Sequence, residues 1–300
     1  MDASFFNINS TELEKTKMKL NAICIIKNEV DIIADTLDYA LAFCDMIYVF
    51  DNASTDGSWE VICAKVALDS RIVIVAHTDE IYRNQFRNRV YNMFNHTFSS
   101  SDWWYILDAD EMLIEDPRPM LIRAMQRDKN QMRVWQAQFY FTDKDLAVYD
   151  NENKSLPVSQ RRRYYRINWR EPRFFRNSPN QKWSEDISGK VPPFCNALFR
   201  PSPICRHYAQ RTPEQIKMRH EIRVNNPYSF LHVKNKSKND WLKKAKNCYF
   251  YETGQKMRFS LIDRIVFYAN HSKYWLVWRV KNLILIKNLL MSKMFSANQL

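Results

Sequence analysis

Apolar runs and polar breaks alternate in a regular order along the first 110 residues. The run from Leu20 to Ile26 ends in Lys27-Asn28-Glu29. Val30, Ile33, Leu37, Leu41 and Cys44 then recur at the spacing of an amphipathic helix. Met46 to Phe50 is a second apolar run, closed by the turn-rich string Asp51-Asn52-Ala53-Ser54-Thr55-Asp56-Gly57-Ser58. Its Ser, Thr and Asp residues can cap a following helix, Trp59 to Ala67. A third strand is predicted from Arg71 to Ala76, a helix from Asn84 to Phe98, and a fourth strand in Trp103-Trp104-Tyr105-Ile106-Leu107. That last run is apolar on both faces, as a central strand is. It leads into Asp108-Ala109-Asp110-Glu111. Four strands alternating with helices predict an α/β fold with a parallel, doubly wound sheet. The loops Lys27–Glu29, Asp51–Ser58 and Asp108–Glu111 all follow strands, so they should share the ligand-binding edge of that sheet.

Beyond residue 115 the pattern is looser. A helix is predicted from Met120 to Arg127, a strand from Val134 to Phe141, and a loop from Asp143 to Pro157. Residues 161–176 carry seven arginines against the single acid Glu171, with a strand candidate in Pro172-Arg173-Phe174-Phe175-Arg176. Thr212-Pro213-Glu214 reads as the start of a helix, Thr212 as cap and Pro213 at its first position. Residues 239–294 contain no proline and are predicted helical throughout.

Composition narrows the chemistry. The chain has 300 residues, 46% of them hydrophobic, enough for a full core. Its only glycines are Gly57, Gly189 and Gly254, which excludes a Gly-rich phosphate loop. The six cysteines form no CxxC pair and read as buried thiols of a reducing cytosol. The chain opens Met-Asp-Ala-Ser without a basic region and apolar core, and no run of 18 uncharged apolar residues follows. A cytoplasmic protein is expected. Charge is unevenly divided: residues 1–150 hold 15 basic and 24 acidic residues, a net of −9, while residues 151–300 hold 30 and 9, a net of +21. A nucleic acid, a phospholipid surface or a phosphorylated substrate would each account for the basic half.

Asp108 and Asp110 are two apart, so on an extended strand they share a face and converge on one cation. A hard divalent ion held by one or two carboxylates keeps positions open for substrate phosphates. The alternative is a polar strand exit with solvated acids.

The three strand exits, taken in order, resemble the donor-binding half of family 2 glycosyltransferases, the GT-A fold. The likeness continues more weakly through Arg173-Phe174-Phe175-Arg176 to His207-Tyr208-Ala209-Gln210-Arg211-Thr212-Pro213-Glu214-Gln215. It implies a Rossmann-like, mainly parallel central sheet flanked by helices, with a helical C-terminal extension. The expected layout is a tail over 1–18, a GT-A domain over 19–225 (nucleotide-sugar half 19–115, acceptor half 116–225), and a basic helical region over 226–300.

The resemblance also implies an inverting, metal-dependent transfer of a hexosyl group from a nucleotide sugar, a UDP-sugar first, to a glycan or lipid-linked acceptor in surface polysaccharide synthesis. Asp51 would receive the base, and Lys27, Glu29, Asn52 and Asp56 would complete the donor loops. Asp108 and Asp110 would hold Mn²⁺ or Mg²⁺ and the diphosphate, with His207 a third ligand because a neutral imidazole suits Mn²⁺. Arg87 is either a diphosphate contact or part of a solvated helix face. Inversion needs a carboxylate base, and Glu185 and Asp186 are the candidates, Asp186 ahead. Relatives carry a His-Glu pair slightly further on, where this chain has Ser188-Gly189.

Two other functions are weighed against this one. A sugar nucleotidyltransferase would need glycines after the first strand, and Ile25-Ile26-Lys27-Asn28-Glu29 has none. An RNA-binding protein is suggested by Arg161-Arg162-Arg163-Tyr164-Tyr165-Arg166, where cations alternate with stacking surfaces. The acidic half would repel RNA, so nucleic acid is not the expected partner. From His271 onward, tryptophans, leucines and five basic residues without an acid have the composition of an interfacial helix. That helix would hold the protein peripherally on an anionic inner membrane face, or pack on the catalytic domain or on a second subunit.

Overall fold

The computed structural model describes residues 18–186, 189–228, 242–261, 263–265 and 267–268. The chain divides into two compact units, Met1–Gln255 and Lys256–Leu300. In the first unit, β1 (Leu20–Ile26), β2 (Met46–Asp51), β3 (Ile72–His77) and β4 (Trp103–Asp108) alternate with α1 (Ile33–Leu41), α2 (Ser58–Leu68) and α3 (Phe86–Phe94). These four strands pair in parallel in the order β3-β2-β1-β4. The expected βα alternation is therefore present, element by element.

Period-two alternation explains why β1 and β4 sit at the centre. Leu20, Ala22, Cys24 and Ile26 of β1, with Trp103, Tyr105 and Leu107 of β4, enter the core under α1 and α2. Ile23, Trp104 and Ile106 enter the opposite core with Phe86, Val90 and Tyr91 of α3. A strand buried on both faces gains about 1.5–3 kcal/mol per large apolar side chain. That burial anchors the strand ends that carry the polar residues.

After β4 the sheet departs from the all-parallel expectation. The remaining strands are β5 (Glu111–Leu113), β6 (Gln131–Tyr140), β7 (Tyr164–Arg176), β8 (Leu198–Phe199), β9 (Ile204–His207) and β10 (Tyr249–Phe250). β7 runs antiparallel to both β4 and β6, and β5 antiparallel to β9. The result is a mixed sheet flanked by α4 (Arg118–Met125) and the helices already named. β7 is 13 residues long, far more than the Pro172–Arg176 core expected of it. Pro172 is tolerated there because the ladder with β6 shifts register between Met132 and Arg133, at the proline.

Two further expectations change. The stretch after Thr142 is not a loop: Thr142 and Asp145 form a reciprocal capping box that starts the short helix α5 (Asp143–Val148). A second short helix, α6, spans Val158–Arg161. Residues 242–255 are not α-helical either, with only a 3-10 turn at Ala245–Asn247. Tyr249 and Phe250 pair antiparallel with Tyr165 and Tyr164 of β7, so aromatic cross-strand packing overrides helix propensity there. In the second unit, residues 261, 263–265 and 267–268 are helical, and Asp263 accepts from the Ser260 amide at 2.9 Å. The segment from His271 onward lies outside the described residues. Among the described residues no helix is long and apolar enough to cross a membrane.

Gly57 sits at φ 102°, directly before α2, and a Cβ there would meet Val30 Cγ2 at 3.3 Å. Both the backbone and the space favour glycine. Gly57→Ala should cost about 1–3 kcal/mol of stability, read from the urea unfolding midpoint.

Candidate active site

The exits of β1 and β2 are locked to each other. Asn28 at φ 57° and Ala53 at φ 49° both adopt left-handed backbone, which costs a non-glycine residue about 1–2 kcal/mol. Hydrogen bonds offset that cost. The Asn28 amide donates to Ser54 Oγ at 2.9 Å, and the Thr55 amide donates to Asn28 Oδ1 at 2.8 Å. Lys27 Nζ donates to the Asn52 carbonyl at 2.6 Å. Asp51 is buried and accepts from Ser54 Oγ at 2.6 Å, with His77 Nδ1 at 2.7 Å. Asn52 donates both amide hydrogens, to the carbonyls of Thr78 and Glu80. Asp56 accepts from the Ser58 amide at 3.0 Å and the Val30 amide at 3.0 Å. Lys27, Asp51, Asn52 and Asp56 are thus brought together as expected, and each also builds the loop it sits in.

The third exit holds a dense cluster of opposite charges. Asp108 lies on the same face of β4 as Ile106, the face covered by α3. It meets Arg87 Nη2 at 2.7 Å and Arg173 Nη2 at 2.6 Å. Arg87 is therefore a buried ion-pair partner, not part of a solvated face. Burial alone would favour the neutral acid, but Arg173 and Arg87 outweigh it and hold Asp108 below the usual carboxylate range. Its side chain remains 28% exposed, so a ligand can reach it.

Asp110 goes elsewhere. β4 ends at Asp108, a two-residue turn intervenes, and β5 pairs with β9 so that Glu111 stands opposite His207. Asp110 is consequently 3.3 Å from His207 Nε2 and 2.6 Å from Arg219 Nη1 of α7 (Pro213–Asn225). Burial opposes its charge, yet His207 and Arg219 keep it ionised. For His207 burial again opposes charge, and Asp110 and Glu111 overcome it, so the imidazole titrates above its ordinary value. Gln138 Nε2 stands 2.7 Å from His207 Nδ1 and orients the ring.

The expected trio of metal ligands is divided by this geometry. Among the described residues no group of three His, Cys, Asp or Glu side chains converges as a metal shell. Asp108 faces α3 and β7, while Asp110 and His207 meet over β9. A backbone turn, not an extended strand, separates the two aspartates. Asp110 Oδ1 and His207 Nε2 are 3.3 Å apart, close to the roughly 3 Å between adjacent ligands of an octahedral shell at about 2.1 Å.

Glu29 is buried against Arg211, and burial raises its pKa despite that partner. Arg211 also holds Asp31 at 2.8 Å and the Tyr208 carbonyl at 3.0 Å. Glu111 pairs with Arg173 and accepts from Gln136. Arg173 reaches a third acid, Glu171, at 3.0 Å. Glu185 and Asp186 are not part of this cluster. They lie on an exposed turn held to α3, where Asn88 binds the Ser184 carbonyl at 2.6 Å and Arg89 binds Glu185 at 3.0 Å. Asp186 contacts Ser184 and forms no ion pair among the described residues.

Sequence reasoning missed Arg173, Arg211 and Arg219. Arg173 and Arg211 stand in strings that carry the resemblance but were given no role there, and Arg219 was visible only as part of the +21 charge of the second half. The string Arg161-Arg162-Arg163 is spent inside the fold and forms no open RNA surface. Arg161 and Arg162 bind Glu152 at 2.9 and 2.7 Å, and Arg163 binds the Tyr251 carbonyl at 2.9 Å.

Arg211→Met should leave Glu29 buried without its cation. A loss of about 3–5 kcal/mol in chemical denaturation is expected. A loss below 1 kcal/mol would show that Glu29 is neutral or solvated in the folded protein.

No family model matches the chain, and no curated protein matches it in sequence. Among solved structures it is similar to a mannosyltransferase from Pyrobaculum calidifontis in complex with GDP-mannose and Mn²⁺. The two are 13% identical with a TM-score of 0.41, over 69% of this chain and 62% of that one. It is also similar to glucosyl-3-phosphoglycerate synthase from Mycobacterium tuberculosis, solved with Mn²⁺ and UDP-glucose. There the identity is 15% and the TM-score 0.28, over 46% of this chain and 49% of that one. The chain thus spans about three-fifths of the first enzyme and half of the second.

Proposed function

We propose that this protein transfers a glycosyl group from a nucleotide-diphosphate sugar to an acceptor hydroxyl. The observation that carries the reading is the junction of three strand exits at one end of a parallel β3-β2-β1-β4 sheet, with Asp108, Asp110 and His207 beside them. Such an end is where open α/β sheets bind ligands. The locked Lys27–Asp56 loops form a rigid wall suited to the base and ribose. Asp110 and His207 are the residues that would hold Mn²⁺ or Mg²⁺. When bound, that ion would offset the charge that grows on the leaving diphosphate.

The chain's own residues supply the rest. Arg87 and Arg173 keep Asp108 ionised and aimed. Gln138 fixes the His207 ring. Asp186 is the better base of the two candidates, since Glu185 is already committed to Arg89. A UDP-sugar donor, an inverting displacement and a glycan or lipid-linked acceptor belong to this proposal.

A thermal-shift screen of nucleotide sugars with Mn²⁺ tests the reading, because a ligand that binds only the folded state raises its stability. Asp110→Asn keeps the shape of the side chain and should reduce transfer at least 100-fold. Undiminished transfer by this variant in excess EDTA would remove Asp110 and the ion from the mechanism. Asp186→Asn should lower kcat by about 10²–10⁴-fold with donor affinity unchanged. If Glu185→Gln has that effect instead, the base is Glu185.

A further inference from the structure

Helix α7 carries a cation that the cluster does not use. Thr212 caps its start, and Arg219 and Arg223 lie four residues apart, on one side of it. Arg219 is committed to Asp110 at 2.6 Å and to the Ala209 carbonyl at 3.2 Å. Arg223 forms no ion pair among the described residues, and it is exposed. Its surroundings are nevertheless those of the site. The repulsion from Arg219 lowers its pKa more than any other influence, while Asp110 and Glu29 pull it up. Asp110 is one carboxylate serving His207, Arg219 and, at 3.8 Å, Arg211. Arg211 is already occupied with Glu29 and Asp31. Among the described residues, Arg223 is thus the arginine on this side of the cluster that no carboxylate holds.

The helix is also braced over the strand exits. Asn226, just past its end, donates to the Tyr82 carbonyl at 2.9 Å. Tyr82 begins the segment that leads through Asn84, a 3.3 Å partner of Arg87, into α3. Asn28 at the β1 exit lies 4.0 Å from Met218 Sδ. Arg219 thus stands beside Asp110, and Arg223 follows it one turn further along an element tied to the β1 loop and to the approach to α3.

We infer that Arg219 and Arg223 form a clamp for the diphosphate of the nucleotide sugar, Arg223 reaching it directly and Arg219 bridging it to Asp110. The inference rests on the glycosyl-transfer reading above. A phosphate between the two arginines would relieve their mutual repulsion. The planar guanidinium also matches phosphate oxygens bidentately, which a lysine ammonium does not.

The test is calorimetric titration of the full chain with UDP and GDP, and with UMP and GMP, in Mn²⁺ and again in EDTA. Arg223→Ala should weaken nucleoside diphosphate binding by about 10–100-fold, the range for a charged hydrogen-bonded contact. It should weaken monophosphate binding much less. Arg223→Lys should restore only part of the loss. Arg166→Ala removes an equal charge from an exposed position on β7 and should change little. Diphosphate affinity in Arg223→Ala equal to wild type would overturn the clamp and leave the glycosyl-transfer reading intact. An equal loss in Arg166→Ala would overturn it too, by reducing the effect to overall charge. If the wild-type chain binds no nucleoside diphosphate, both readings fall.

Discussion

A carboxylate taken out of water must meet a cation, and around the ends of β1 and β4 arginines from four different elements meet that demand. Arg87 comes from α3, Arg173 from β7, Arg211 from the segment after β9, and Arg219 from α7. Their partners are Glu29, Asp31, Asp108, Asp110 and Glu111 from the first 111 residues, joined by Glu171 of β7 beside Arg173. Removing Arg211 would leave the buried Glu29 without its nearest cation, which costs far more than the pair itself contributes. The arrangement therefore acts as a staple between the two halves of the sequence more than as a source of net stability.

This pairing gives the lopsided charge of the chain an internal explanation. An acidic first half and a basic second half look like a protein that waits for a polyanion. In the folded unit three arginines of the second half, Arg173, Arg211 and Arg219, meet acids of the first half at one place. Arg161, Arg162 and Arg163, the strongest hint of nucleic-acid binding, are consumed at another, against Glu152 and backbone carbonyls. What remains beside the site is Arg223 of α7, in no ion pair among the described residues. That suits a compact anion such as a diphosphate better than a long nucleic-acid backbone.

The same network explains how a site made of strained loops stays rigid. Asn28 and Ala53 hold left-handed backbone in the two loops that face the cluster, and Gly57 holds a third unusual conformation just behind them. Strain of that kind persists only where neighbouring contacts over-determine it. Here Lys27, Ser54 and Asp56 supply those contacts from within the loops, while Arg211 fixes Glu29 and Asp31 from outside. The residues at the β1 and β2 exits are thereby held in place by the protein's own contacts.

The first half of the fold was legible in the sequence because its elements are local. Leu20–Ile26 and Trp103–Asp108 are apolar runs of strand length, and the Val30–Cys44 spacing is helical, so periodicity alone orders them as strand, helix, strand. The strand exits were legible for the same reason, since the polar strings at Lys27, Asp51 and Asp108 each close an apolar run of strand length. What only the tertiary structure decided was pairing over long separations. The long β7 passes through a proline that local rules read as a break, and β10 pairs with it because of aromatic neighbours some 85 residues away in sequence. The parting of Asp108 from Asp110 depends on β5 finding β9, not on their spacing. The arginines that complete the cluster gave no local signal, since an arginine on a helix or strand looks the same whether it meets water or a buried carboxylate. Its role is set by what the rest of the chain places opposite it.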